Sequence, residues 1–202
     1  MAEFQFVSYG SVYEEAWGRL RRAADELEHP MRLVVVATRA GDGHPDARTM
    51  VLRGADRDSH TVWTHTDCRS AKIRHLGHCP SVCVVAYDPE DGVQLRLYGE
   101  VAVHIDDEIA RRHWEQLRMS SRRLYRLDAR PGEPIRRHED PIMQRATTAA
   151  SVTREAKEPG FEYFCVLGVS ISRIDWLQVQ GDELRRAVMH ADQNWKIEPV
   201  AA

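Results

Sequence analysis

The sequence predicts a single mainly β domain, a closed or partly closed antiparallel barrel with a few helices outside it. Three observations lead there. Short β-branched runs recur along the chain, tight polar turns join them in pairs, and only a few stretches carry helical spacing. Closing such strands into a barrel removes the exposed edges that an open sheet would present. The 202 residues, 43% hydrophobic and 29% charged, suffice for one well-buried core and would be cramped as two, so the expected unit is 1–202.

The elements follow in order. Residues 11–28, "SVYEEAWGRLRRAADELE", place Val12, Trp17, Leu20, Ala24 and Leu27 at helical spacing behind a serine suited to a cap, so an N-terminal helix occupies part of 1–29. "MRLVVVATRA" and "ARTMVLRGA" flank the turn "GDGHPD" as a hairpin, and "HTVWTHT" reads as a third strand. A short helix over about 69–78 leads to "SVCVVAYD" and "VQLRLYGEVAVHI", two strands around "PEDG". "DDEIARRHWEQLRM" opens with acids that favour a helix N-terminus and predicts a helix. Residues 120–160 are rich in arginine and proline with weak periodicity, an irregular excursion with one short helix around "PIMQRATTAAS". "FEYFCVLGVSISRIDWLQV", "LRRAVMH" and "NWKIEPV" return to strand patterns.

A net charge of −3 gives no global attraction to nucleic acid or to an anionic membrane, so neither is an expected partner and any basic cluster is a local site. Three lysines stand against 25 arginines, a bias that makes an isolated arginine uninformative. The N-terminal stretch lacks a basic start and an apolar core, and nowhere do 18 apolar residues run together; the expected location is the cytoplasm. Cys68, Cys79, Cys83 and Cys165 show no CxxC pair and read as free thiols. His75, His78 and Cys79 lack a second ligand pair, so no metal site is expected.

The chemistry gathers in "THTDCRSAKIRHL", residues 64–76. A strand ending in hydroxyls and a helix opening on "RSAK" suit a phosphate: free backbone N–H groups favour the anion, while Ser70 and Lys72 add direct hydrogen bonds. On the preceding strand, alternation sets Arg48, Met50 and Leu52 on one face and Thr49, Val51 and Arg53 on the other.

Four segments in order, "RTMVLR", "VWTHTDCRSAKIRHL", "CPSVCVVAYDPEDGVQLRLYGEV" and "IDWLQVQGDELRRAVMHADQNWKIEPV", resemble the pyridoxamine 5'-phosphate oxidase-like family of FMN-binding split barrels over most of 31–104 and 161–202. The resemblance implies a six-stranded Greek-key split β-barrel with flanking helices, a homodimer, and FMN in two clefts at the dimer interface. It implies a phosphate-binding role for Arg48, Ser70 and Lys72, a strand Thr49, Met50, Val51, Leu52 bordering the flavin ring, and a cation, Arg53, near that ring. By the same resemblance Trp63 and Thr64 form an aromatic-hydroxyl pair beside the cofactor, Gln94 reaches it from the partner subunit, and Trp176 and Arg186 complete the pocket.

The chain departs from the family's vitamin oxidases at Asp182 and Leu184, where those enzymes present an Arg and a His to the substrate. An acid and an alkyl chain there would repel a phosphate ester. No Ser/His/Asp order or paired-carboxylate signature emerges, and no catalytic side chain is assigned. The reading is an FMN-dependent oxidoreductase of an unidentified small molecule, with a nicotinamide as a candidate reductant. The alternative is a non-catalytic module holding a flavin, a deazaflavin or haem.

Overall fold

The structure, a computed structural model, describes residues 8–127, 129–134 and 158–202. The short helix expected around residues 141–151 lies outside them. Eight strands form one antiparallel sheet: β1 (Leu33–Arg39), β2 (Pro45–Asp56), β3 (Thr61–Asp67), β4 (Ser81–Asp88), β5 (Val93–His104), β6 (Phe164–Gln180), β7 (Glu183–His190) and β8 (Glu198–Pro199). Their order is β3-β2-β1-β4-β5-β6-β7-β8, and β3 also pairs with β6. That last pairing closes β1 to β6 into a six-stranded barrel. Because β4 returns to lie beside β1 after the β1-β2-β3 meander, the connection is a Greek key.

Closure depends on the length of β6. Its first half, from Phe164 to Ser170, pairs with β3, while its second half, from Arg173 onward, pairs with β7 on that edge. β5 runs along the other edge of both halves, with a register shift at Tyr98 and Gly99. Gly99 is required there, because a Cβ would stand 2.0 Å from the Ser170 carbonyl oxygen.

Alternation fills the barrel. Val34 and Val36 of β1, Met50 and Leu52 of β2, Val82, Val84 and Ala86 of β4, and Leu95 and Leu97 of β5 are buried together. Helix α1 (Val12–Asp25) closes one side: Val12, Ala16, Leu20 and Ala23, at helical spacing, are wholly buried against the core. Arg19 anchors it with ion pairs to Glu15, Asp88 (2.7 Å) and Asp91 (2.6 Å).

Helix α2 (Ala71–His78) follows β3, and α3 (Glu108–Glu115) follows β5, its start capped by Asp107, which accepts from the Ala110 N–H at 2.8 Å. Trp114 of α3 builds a second small core with Phe161, Phe164 and Val166 on the outer face of β6. A short helix α4 (Met119–Arg122) comes next.

One expected strand is corrected. "NWKIEPV" yields only the two-residue β8, because Asn194 and Trp195 adopt left-handed backbone, φ 52° and 58°. Docking explains the break: the Trp195 ring stacks on His60 at 4.6 Å, and the Trp195 backbone N–H donates to the His190 carbonyl at 2.9 Å. No described helix is long and apolar enough to cross a membrane.

Candidate functional site

Ser70 and Lys72 touch at the start of α2, and Arg48, up to 24 positions away in sequence, lies close enough for its charge to act on Lys72. Lys72 donates from Nζ to Thr66 Oγ1 at 2.9 Å and to Ser70 Oγ at 3.0 Å. Ser70 sits at the cap position of α2, yet its hydroxyl donates to the Asp67 carbonyl at 2.7 Å instead of accepting from the helix, so the first N–H groups of α2 have no side-chain cap. Arg48 donates to the Val36 carbonyl at 3.0 Å, to Thr38 Oγ1 at 2.9 Å and to the Asp46 carboxylate.

Lys72 has no carboxylate partner among the described residues. Burial first, and then the Arg48 charge, hold its ammonium below the usual lysine range. Two cations in a half-buried corner, two hydroxyls and open helix N–H groups form the donor set a phosphate monoester takes up, since an anion there would offset both burial and mutual repulsion. These residues therefore fit the phosphate of FMN.

A second feature lies on the outer face of β2 and β3. The pairing shifts between Leu52↔Thr64 and Gly54↔Trp63, which makes Arg53 the extra residue of a bulge. Arg53, on the same outward face as Val51, borders a cleft of about 450 Å³ lined also by Val51, Arg32, His65, His113 and Arg118, with Asp25 the carboxylate on its wall. Arg53 Nε is buried without a partner among the described residues. Burial, then Arg32 and Arg118, push the Arg53 pKa down. Three arginines facing one carboxylate make this cleft anion-seeking.

The other expected residues are spread out. Met50 and Leu52 point into the core and Thr49 outward. Thr64 is buried with its hydroxyl unpartnered among the described residues. The Trp63 indole lies across Gly54 and Gly168, beside His104 and His113. Gln94 stands half-buried on the outer face of β5, three strands from β2, roughly 14 Å at the usual strand spacing. Arg186 is held by Asp175 through two hydrogen bonds of 3.0 and 2.8 Å. Trp176 differs from the expectation that it completes a pocket: its side chain is wholly buried, edge-on to Tyr9, because it shares the inward face with Leu95.

Several residues escaped sequence reading. His65 and His113 carry no site signal in the sequence, whereas Thr66 belongs to the strand ending in hydroxyls that the sequence offers as phosphate donors. Gly54, a glycine inside a strand pattern, was the signal for the bulge. Asp175, buried between Arg186 and Arg96, had none. Among the described residues no group of three or more His, Cys, Asp or Glu could hold a metal ion.

The described residues thus combine a Greek-key split barrel with a half-buried cationic corner and a neighbouring arginine-lined cleft. Residues 14–105, a little under half of the chain, match the family described as pyridoxamine 5'-phosphate oxidase, FMN-binding domain. The chain is 37% identical over 70 residues to pyridoxine/pyridoxamine 5'-phosphate oxidase 2 of Arabidopsis thaliana, covering 35% of each. It is 31% identical over 90 residues to the pyridoxine/pyridoxamine 5'-phosphate oxidase of Leptospira interrogans, covering 45% of this chain and 40% of the relative. The matched part thus spans well under half of these relatives' lengths.

Among solved structures, a pyridoxamine 5'-phosphate oxidase-related, FMN binding protein from Nostoc punctiforme superposes with a TM-score of 0.74 at 22% identity, covering 98% of this chain and 100% of that one. PhzG of Burkholderia lata, solved with tetrahydrophenazine-1-carboxylic acid, gives 0.75 at 16% identity, covering 99% and 98%. At these identities the likeness is one of fold. The chain is related to the pyridoxamine 5'-phosphate oxidase-like split-barrel family, as its sequence resemblance implied.

Proposed function

We propose that this protein is an FMN-dependent oxidoreductase acting on a small anionic molecule. The observation that carries the reading is Lys72, an ammonium held among hydroxyls beside Arg48 with no carboxylate partner among the described residues. Arg48, Ser70 and Lys72 hold the cofactor phosphate, and Thr66 orients Lys72. Val51 and Arg53 lie five or fewer residues along the same strand, within roughly 16 Å of Arg48, so β2 runs from the phosphate corner to the cleft. Bound FMN supplies the hydride and electron chemistry. Arg53 favours negative charge developing beside it, and with Arg118 it orients the substrate's anionic group.

The cofactor cleft is shared by two copies of the chain. Gln94 and Arg186 each lie three strands from β2, Arg186 by way of β3 and β6, too far to touch a ligand resting on their own chain's β2. The outer face of β1 and β4, between β2 and Gln94, exposes Leu33, Val35 and Tyr87 at 59%, 39% and 52%, apolar surface that a second copy would cover. Four free cysteines suit a reducing compartment, the cytoplasm. A nicotinamide cofactor serves as the reductant in this reading.

An absorption spectrum of the purified protein, then anaerobic reduction by a nicotinamide and timed reoxidation, tests the proposal. A flavin spectrum with reversible bleaching is expected. A haem or deazaflavin spectrum, or a flavin that neither reduces nor reoxidises, would support the non-catalytic alternative instead.

A further inference from the structure

One wall of the arginine cleft is built unlike the rest. His65, on the outer face of β3, and His113, on α3, meet with His65 Nε2 3.0 Å from His113 Nδ1, their rings at 87°. Phe164 packs edge-on against His65 at 4.9 Å, and Trp63 lies 5.4 Å from His113, so both rings are fixed by aromatic neighbours. His65 Nδ1 is buried without a partner among the described residues. His113 Nε2 makes no hydrogen bond among the described residues and is not sealed from solvent.

The groups facing the pair are cationic or able to become so: Arg53 toward His65, and Arg112 and His104 toward His113. Burial and these charges keep both rings neutral, His65 down to about 3. A neutral imidazole carries one N–H, and the short contact holds one proton between the two rings. Two placements are possible, and they differ in what His65 Nδ1 becomes. If the proton sits on His113 Nδ1, then His65 Nδ1 carries a buried N–H with no acceptor. If it sits on His65 Nε2, then His65 Nδ1 is a bare lone pair, which costs less than an orphaned donor in a ring acted on by the Arg53 charge. The second placement puts the remaining proton of His113 on Nε2.

We infer that His113, locked by His65, presents an Nε2–H donor to the cleft and selects ligands that carry a neutral hydroxyl or carbonyl oxygen in addition to an anionic group. The anionic group pairs with Arg53 and Arg118, so the inference rests on the anion-binding reading of the cleft given above. His65 is a positioning residue that acts through His113. The ligand class is a hydroxy- or oxo-substituted organic acid.

The test uses the full-length, FMN-loaded protein and calorimetric binding of paired probes, the three hydroxybenzoates against the three methylbenzoates of the same substitution. Each pair has nearly the same shape and differs in the oxygen. At least one hydroxy isomer should bind about tenfold tighter than its methyl counterpart. His113→Leu should bring that ratio close to one, and His113→Gln, which keeps a donor, should restore most of it. His65→Phe should lower the ratio partway, and Arg53→Ala should weaken all six acids together. Equal ratios in the native protein and His113→Leu, with Arg53→Ala still weakening every acid, would overturn the histidine inference alone. Acids that fail to bind, or that bind regardless of Arg53→Ala, would overturn the anion reading and this inference together.

Discussion

Lys72 reaches Ser70 Oγ at 3.0 Å across the opening turn of α2, while that hydroxyl donates to the Asp67 carbonyl and does not cap the helix. The helix N–H groups and the ammonium are thereby left facing one corner together. Losing a charge-assisted hydrogen bond costs about 1.5–3 kcal/mol, so Lys72→Ala should weaken FMN binding about ten- to a hundredfold. Arg48→Ala should also weaken it, by less, because Asp46 already balances part of its charge. Fluorescence titration of the cofactor checks both, and unchanged affinity in the two variants would move the phosphate elsewhere.

Sedimentation at low concentration should show a particle of about twice the 23.2 kDa chain mass. Placing a charge in the exposed apolar strip, as in Val35→Glu, should shift the protein toward monomer and release flavin together, since both depend on the same face. A monomer that still holds flavin tightly would contradict the shared cleft.

Asp182 and Leu184 are both exposed at the hairpin joining β6 to β7. Where the family resemblance places the vitamin oxidases' cationic or donor groups, this chain carries a carboxylate and an alkyl chain. Such a replacement should cost several kcal/mol of transition-state binding, each ~1.4 kcal/mol being tenfold in rate. Pyridoxine and pyridoxamine 5'-phosphate should accordingly be poor substrates. Turnover of either near or above about one per second would show the substrate side to be otherwise arranged.

Acid should weaken the fold through His65. Its pKa is lowered in the folded state to about 3, so between pH 6.5 and 3 the unfolded chain binds a proton that the folded chain refuses. The stability this neutral ring contributes is present above pH 6.5 and is lost as pH falls. From pH 6.5 to 5 the loss should reach up to about 2 kcal/mol. Urea unfolding should show a shallower decline over that range for His65→Phe than for the native protein.

Gly168 supports the Trp63 ring, and a Cβ there would stand 2.4 Å from Cζ3 of the indole. Gly168→Ala should destabilise by about 1–3 kcal/mol through overpacking. In a Trp63→Leu background the same change should cost much less. Equal costs in the two backgrounds, measured by urea unfolding, would show that the indole is not what the glycine accommodates.

Strands and helices were legible in the sequence because alternation and helical spacing are local properties of a half-buried chain. β1 to β7 and α1 to α3 lie where their patterns placed them, within a few residues. Ser70 and Lys72 were legible as neighbours for a related reason, being two positions apart at a helix start, while Arg48 came from family resemblance. Trp195 was misread as a strand residue because its left-handed backbone is set by stacking on His60, 135 positions away in sequence.

Only the tertiary structure decided barrel closure, through one strand long enough to pair with β3 along its first half and with β7 along its second. It also decided that Trp176 faces the core and that Arg53, on the outward face alternation gives it, meets His65, His113 and Arg118 in one cleft. Sequence alone set the chemical types available and the face each would occupy on its own strand or helix. Which faces met was determined by long-range strand pairing, whose register no local pattern records.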